Sequence, residues 1–346
     1  MDKCQKTLLS YYEKHPKMQI EDLFKFLYQS AFGCSHATCS LEQAIEDIRR
    51  EREALGDTSP AIQELDGDYC RLSLSSLSSE TLGALFYLSA KPEPRGKTDL
   101  LYKLSAAHKL IKAGLLPFNE QQFTEKLKKW EANGFPALHH SQEYKENYCP
   151  SYRVISKDFA RYLPLFCELD RRLERGTVNM CIEGGCASGK SSLAELLSRV
   201  YDCNVFHADD FFLPPQMRTP ERLLEVGGNL DRERLESEIL SSLSHDEITY
   251  RRFDCSTATL SEPVTVKNKA LNIVEGVYSY HPSLSKYYNF SLYLDVSKEC
   301  QKKRILARNT PAFAERFFNE WIPLEERYFL ETDIKNRCDL TLYNED

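Results

Sequence analysis

The sequence predicts an α/β fold with a doubly wound parallel sheet for its C-terminal half, preceded by a mainly α-helical domain. At 346 residues the chain exceeds the size at which a single core usually stops growing, so two domains are expected. Up to about residue 175 apolar residues recur at three- and four-residue spacing, whereas after Gly176 short apolar runs alternate with helical segments. We therefore divide the chain into domains 1–175 and 176–346.

The elements of each half follow from these patterns. In the first half the spacing predicts helices over 20–32, 41–55 and 119–130, loops at 91–98 and 133–140, and a helix over 156–176 that is kinked at Pro164. In the second half the apolar runs predict strands over 178–183, 204–208, 247–253, 270–276, 290–296 and 339–343. Helices are expected after Lys190 and over 231–243, 297–309 and 323–334.

Charge and hydropathy exclude several classes of protein. The formal net charge of -7 disfavours a nucleic-acid-binding protein, because such proteins normally present a basic face. No apolar run approaches the length that spans a bilayer, and the opening residues MDKCQKTLLSYYEKHPK lack the pattern of an export signal. We expect a cytoplasmic protein with neither a membrane nor a nucleic-acid partner.

The twelve cysteines are expected to be reduced thiols, because they are spread over a large chain without an export signal. The tightest cluster is Cys34, His36 and Cys39. A zinc site there would need a fourth ligand from elsewhere and a different spacing. Packing of small thiols around a hydrogen-bonded histidine is the favoured interpretation.

A glycine-rich stretch, CIEGGCASGKSS, carries the clearest chemical signal. Gly184, Gly189, Lys190 and Ser191 match the pattern GxxxxGK[ST], between an apolar run that ends at Glu183 and a helical segment. Backbone amides of such a loop converge on phosphate oxygens, and the following helix adds partial positive charge. The predicted nucleotide-binding residues are Gly184, Gly185, Cys186, Ala187, Ser188, Gly189, Lys190, Ser191 and Ser192.

Acidic residues follow two other predicted strands, where ligands of open α/β sheets bind. Asp209 and Asp210 come directly after 204–208, and Glu275 ends the run 270–276. A carboxylate near the terminal phosphate can accept the proton of an attacking hydroxyl or hold Mg²⁺ through water. Helix capping and solvent exposure are the alternatives for these acids. The predicted metal side consists of Ser191, Glu275 and Asp209.

Two arginines fall on the predicted helix 297–309. Arg304 and Arg308 are four residues apart and share one helix face. Guanidinium groups on a mobile segment can cover the phosphates and stabilise charge in the transition state. A solvated basic helix face is the alternative.

In their order and separation, the segments GGCASGKSS, HADDFF, IVEGVYS and KKRILARN resemble the uridine kinase group of P-loop kinases. Relatives of that group phosphorylate nicotinamide riboside, pantothenate and ribulose phosphate. The resemblance covers residues 178–343 and implies ATP as co-substrate with Mg²⁺. It also implies the catalytic residues Asp209, Lys190, Arg304 and Arg308, with Asp209 activating the acceptor hydroxyl and Glu275 on the metal side.

The acceptor is less well indicated than the nucleotide. The segment TYRRFDCSTATL keeps Tyr250 but lacks the histidine with which uridine kinases read their base. The predicted acceptor-binding residues are Asp210, Tyr250, Arg251 and His281. We expect a kinase acting on the hydroxyl of a nucleoside-like molecule, with a sugar or vitamin-precursor kinase, or a nucleotide-dependent regulator, as alternatives. The helical half resembles no known family and is open to three roles: an acceptor-selecting cap, a unit that forms a homo-oligomer, or a sensor.

Overall fold

The computed structural model describes residues 1–36, 40–55, 60–90, 94–254 and 257–345. The chain divides into two compact units, Met1–Asp170 and Arg171–Asp346. Cys39 lies outside the described residues, so the predicted grouping of Cys34, His36 and Cys39 is not described further. No described helix is both long and apolar enough to cross a membrane.

The first unit is helical, as predicted, but it also contains a small antiparallel sheet. Strands β1 (Ile62–Glu64), β2 (Tyr69–Ser73) and β3 (Tyr152–Ser156) pair in the order β1-β2-β3. The helices found between residues 1 and 173 are α1 (Lys3–Lys14), α2 (Ile20–Phe32), α3 (Leu41–Leu55), α4 (Ser79–Ser89), α5 (Gly96–Lys112), α6 (Glu120–Ala132), α7 (Gln142–Tyr148), α8 (Lys157–Ala160) and α9 (Leu163–Leu173). The helix predicted over 156–176 is thus two helices, α8 and α9.

A buried arginine explains why the sequence did not reveal β2, the middle strand of this sheet. Arg71 interrupts the apolar pattern of β2, yet its side chain is fully buried. Its guanidinium donates to Gln29 Oε1 (2.7 and 2.9 Å), Tyr11 Oη (3.0 Å) and Gln63 Oε1 (2.9 Å) and lies 4.6 Å from the Tyr152 ring centroid. A charge can be buried only where such partners replace water. The partners come from distant segments, so local periodicity does not show them.

The second unit is built on the parallel sheet that the sequence predicts. Five strands pair in the order β12-β11-β4-β10-β5, and every pairing is parallel. Nine strands are described in this unit: β4 (Val178–Glu183), β5 (Cys203–His207), β6 (Glu247–Tyr250), β7 (Phe253–Asp254), β8 (Thr259–Leu260), β9 (Val264–Lys267), β10 (Leu271–Glu275), β11 (Phe290–Asp295) and β12 (Leu340–Tyr343). Strand β4 is central. The chain adds β5 and β10 on one side of it and then β11 and β12 on the other.

This strand order fixes where a ligand can bind. Connections on the two sides of β4 diverge at its carboxyl end, which leaves a crevice there. The register places Glu275 of β10 level with Ile182 of β4 and His207 of β5. The polar ends of three adjacent strands therefore lie at one edge of the sheet.

One predicted strand lies outside this sheet. The run 247–253 forms β6, which pairs antiparallel with β9, and residues of β6 are alternately exposed and buried. Such alternation is typical of a two-stranded ribbon with one solvated face. The parallel sheet consequently has five strands where the sequence suggested six candidates.

Each of the four helical segments predicted for the second unit contains a helix, although 231–243 is α-helical only in its first part. The helices of this unit are α10 (Lys190–Val200), α11 (Pro220–Leu224), α12 (Arg232–Glu238), α13 (Lys298–Arg308), α14 (Pro311–Arg316), α15 (Ile322–Thr332) and α16 (Ile334–Arg337). Of these, α11, α14 and α16 were not predicted. A π-helical turn, Phe317–Trp321, joins α14 to α15, and a 3₁₀ turn, Ala208–Phe211, follows β5.

Candidate functional site

The loop between β4 and α10, residues 184–189, is a tight turn in which two glycines have positive φ angles and close neighbours. Gly184 has φ 146° and Gly189 has φ 97°, both in the region that favours glycine. A Cβ on Gly184 would lie 2.4 Å from the Leu294 carbonyl oxygen, and one on Gly189 would lie 2.3 Å from Asn344 Nδ2. Ala187 also has a positive φ, 56°. The local conformation is therefore held by its surroundings.

Three side chains from later in the chain hold the carbonyl groups of this loop. Gln301 Nε2 donates to Cys186 O (2.8 Å), and Asn344 Nδ2 donates to Ser188 O (2.7 Å). Arg304 Nη1 donates to Ala187 O (3.2 Å) and Ser188 O (3.3 Å). We call these three residues the outer collar. Because C=O and N–H of a trans peptide point in opposite directions, the amides of 187–189 face away from the collar.

Lys190 begins α10 and lies over the loop. Its side chain is buried, and Nζ donates to Gly185 O at 2.8 Å. The unsatisfied amides and the dipole at the start of a helix make this end attractive to anions. The described geometry thus places a buried ammonium group and the start of a helix beside the loop, in which the Ser188 amide donates to Gly185 O (3.2 Å).

Ser191, Glu275 and His207 form a hydrogen-bonded group beside the loop. Ser191 Oγ (2.9 Å) and His207 Nδ1 (2.6 Å) both donate to Glu275 Oε1. Burial alone would raise the pKa of Glu275, but the bond from His207 and the charge of Lys190 outweigh burial, so the pKa lies below its usual value. The same bond raises the pKa of His207. The sequence analysis did not identify His207, although it immediately precedes the ADD segment.

Asp209 and Asp210 lie on the 3₁₀ turn after β5. The turn can approach the end of β10 because Gly276 has no side chain: a Cβ there would lie 2.6 Å from Ala208 Cβ. Asp209 is accessible to solvent, but many protein atoms surround it. The resulting loss of solvation raises the pKa of Asp209, and repulsion between its carboxylate and that of Glu275 raises it further. Asp210 Oδ2 lies 3.6 Å from Arg252 Nε.

The structure also locates the remaining predicted site residues. Tyr250 is buried against Phe206 and its hydroxyl bonds Arg252, while Arg251 is exposed and its amide bonds Glu238. His281 Nε2 lies 3.0 Å from Arg232 Nη1, and burial lowers the pKa of His281 to about 4. Ser192 and Arg308 are exposed on their helices.

Arg304 contacts the loop on its carbonyl side. Its third contact, from Nη2 to Asn344 O at 2.9 Å, also belongs to the outer collar. The predicted covering of phosphates by Arg304 and Arg308 stays a prediction, and the contacts described above give Arg304 a bracing role.

Two buried glutamates next to the loop were not found from the sequence. Glu183 accepts hydrogen bonds from the amides of Gly184 (2.9 Å) and Tyr280 (3.0 Å) and from Tyr328 Oη (3.1 Å), and burial raises its pKa to about 7. Its position at the end of an apolar strand was the available signal. Glu325 accepts from the amide of Cys186 (2.9 Å), and burial raises its pKa. It lies on α15, 139 residues later, where no local pattern points to the loop.

The donor set suits Mg²⁺ bound together with phosphates. Mg²⁺ takes hard oxygen ligands and is commonly held by one or two carboxylates plus phosphate oxygens and waters. The Ser191 hydroxyl and the Glu275 carboxylate are such donors and lie together. Within the part of the chain that the structure describes, no group of three or more His, Cys, Asp or Glu side chains is arranged to hold a metal by protein ligands alone.

Several solved structures are similar to about half of this chain. One is a possible uridine kinase from Bacillus stearothermophilus, at 22% identity and a TM-score of 0.39, covering 51% of this chain and 99% of that one. Another, from Silicibacter sp., is described as a fructose transport system kinase, at 20% identity and a TM-score of 0.38, covering 48% of this chain and 89% of that one. No protein-family model and no curated protein matches the chain.

Substitution of Gly276 tests the close approach of Ala208. Gly276→Ala combines a strained φ of 145° with a clash, whereas Gly176→Ala has the same strain (φ 144°) in open space. We expect Gly176→Ala to lower the free energy of unfolding by about 1–2 kcal/mol and Gly276→Ala by about 2 kcal/mol more. Urea denaturation followed by Trp321 fluorescence in a Trp130→Phe background measures both. Equal losses would show that the approach of the turn is not constrained.

The hydrogen bond between His207 and Glu275 predicts a coupled titration. Glu275→Gln removes the negative charge that stabilises the imidazolium, so the pKa of His207 should fall from its raised value. An NMR titration of the histidine ring carbons measures this change. Glu247→Gln, an exposed position on β6, is the control and should leave it unaltered. Titration of His207 at the same pH in Glu275→Gln would contradict the assignment.

Proposed function

We propose that the second unit is an ATP-dependent kinase that transfers the γ-phosphoryl group to a hydroxyl of a small, nucleoside-like molecule. The observation that carries this proposal is that three chemically different groups lie close together at the carboxyl ends of β4, β10 and β5. Three groups lie at these adjacent strand ends. The first is the loop with Lys190, the second is the hydrogen-bonded pair of Ser191 and Glu275, and the third is the accessible carboxylate of Asp209.

The phosphates of ATP would bind to the backbone amides of the loop on the side away from the outer collar. Lys190 would exchange its bond to Gly185 O for phosphate oxygens, and the start of α10 would add its partial positive charge. These interactions neutralise the charge that develops on the transferring group, which is the main catalytic demand of phosphoryl transfer.

Magnesium would be held between Ser191, Glu275 and the phosphates. Glu275 suits this role because its pKa lies below the usual value, which keeps it ionised. When bound, Mg²⁺ neutralises phosphate charge and orients the terminal group. His207 would fix the orientation of Glu275 through its bond to Oε1.

Asp209 is the proposed acceptor of the hydroxyl proton. Its carboxylate is accessible, and loss of solvation raises its pKa, so it binds a proton more readily than an ordinary aspartate. The acceptor would approach from the side of Asp210 and Arg252, whose charges already face each other. Tyr250, Arg251 and His281 remain proposed acceptor contacts.

Asp209→Asn separates proton transfer from nucleotide binding. We expect turnover to fall by about 10²- to 10⁴-fold, because the amide cannot accept the proton, while ATP affinity changes little. The acceptor is first identified by a mass increase of one phosphate in a panel of nucleosides, sugars and vitamin precursors incubated with Mg²⁺ and ATP. ADP release with that acceptor then measures turnover.

The matched control is Asp202→Asn, an exposed position on the turn before β5 whose ion pair with Lys269 is remote from the loop. It should keep full activity. An Asp209→Asn variant as active as the wild type would remove Asp209 from the mechanism. A slow rate of ATP hydrolysis that no compound in the panel stimulates would instead favour the regulator.

A further inference from the structure

Glu325 on α15 holds a single peptide unit of the phosphate loop. The peptide between Gly185 and Cys186 is bound on both sides: its carbonyl accepts from Lys190 Nζ (2.8 Å) and from the Ser188 amide (3.2 Å), and its amide donates to Glu325 Oε2 (2.9 Å). The bonds on the two sides point in opposite directions, as the geometry of a trans peptide requires. Glu325 therefore fixes the direction in which Gly185 O faces Lys190.

The position of Glu325 is itself well determined. Glu325 is only 6% exposed, and its carboxylate lies beside Gly185, where a Cβ would be 3.6 Å from Oε2. Tyr328, three residues later on the same helix face, donates its hydroxyl to Glu183 at 3.1 Å. Helix α15 thus contacts both the strand end before the loop and the loop itself.

Glu325 differs from the outer collar in its chemistry. Gln301, Arg304 and Asn344 donate to loop carbonyls, whereas Glu325 accepts from a loop amide. Without that acceptor the 185–186 peptide keeps only its carbonyl partners, Lys190 Nζ and the Ser188 amide, and is freer to rotate. Rotation of this peptide would turn Gly185 O away from Lys190. The position of the Lys190 ammonium group before phosphate binds would then change.

We propose that Glu325 is a positioning residue for the proposed reaction: it orients the 185–186 peptide so that Lys190 is placed to receive the nucleotide phosphates. The inference rests on the proposed function, since it concerns the nucleotide that the loop would bind. It assigns to Glu325 a hydrogen-bond acceptor role, for which a glutamine of the same length can substitute.

The test compares Glu325→Ala with Glu325→Gln in equilibrium binding of ATP to the full-length protein, without an acceptor. We expect Glu325→Ala to weaken ATP binding about tenfold, because a fixed hydrogen bond of the loop is lost. Glu325→Gln should bind within about threefold of the wild type, because its amide oxygen still accepts from Cys186. Glu326→Ala is the matched control, since Glu326 is 52% exposed and pairs with Lys298.

Trp321 supplies a readout that a merely stabilising residue would not change. It lies four residues before Glu325, in the π-helical turn that leads into α15, and the other tryptophan, Trp130, belongs to the first unit. Nucleotide binding should change the fluorescence of the wild type and of Glu325→Gln. Saturating nucleotide should change that of Glu325→Ala less, because the loop contact of α15 is lost although Tyr328 still binds Glu183, and Trp321→Phe confirms the origin of the signal.

The outcomes separate this inference from the proposed function. If the wild type binds no ATP, the proposed function fails. If the wild type binds ATP and Glu325→Ala binds it equally well, only the role of Glu325 is overturned. Loss of binding in Glu325→Gln to the same extent as in Glu325→Ala also overturns it, because the charge rather than the acceptor would then be required.

Discussion

The orientation of a few successive peptide groups in residues 184–189 is the constraint on which the second unit depends. Backbone amides can converge on an anion only if the matching carbonyls are satisfied elsewhere. The outer collar meets this condition with side chains from α13 and from the segment after β12. The positive φ angle of Ala187 costs backbone energy, and these contacts stabilise it, whereas Gly184 and Gly189 adopt positive φ angles without that cost.

The charge distribution around the loop follows from the same geometry. Lys190 is buried near several carboxylates, and their pKa values shift in different directions. Glu275 has specific donors, Ser191 and His207, so it stays ionised, whereas Asp209 and Glu325 lose more from desolvation than they gain from partners. The surroundings of each carboxyl group thus keep Glu275 ionised and make Asp209 and Glu325 bind protons more readily. A phosphoryl transfer would need carboxyl groups of both kinds.

The sequence predicts the parts of this unit whose cause is local. Strand β4 was predicted with its observed bounds, and the glycine pattern marks the tight turn because Gly184 and Gly189 have positive φ angles and no room for a Cβ. Asp209 and Glu275 were predicted to lie near each other, since the carboxyl ends of parallel strands share one edge. The antiparallel pairing of β6, the collar contact of Arg304 and the roles of Glu183 and Glu325 depend on partners far away in sequence. The same reason applies to Arg71 in the first unit, whose burial follows from residues on other segments.

Helix α15 connects these long-range contacts. Tyr328 binds Glu183, whose carboxylate also accepts the amides of Gly184 and Tyr280, so one side chain joins the ends of β4 and β10 to α15. Glu325, one turn earlier, binds the middle of the loop. A helix attached at both points cannot rotate or shift along its axis without breaking a buried hydrogen bond. A segment that is remote in sequence therefore adds to the β4–β10 pairing and the Ser191–Glu275 bond in fixing the loop beside Glu275.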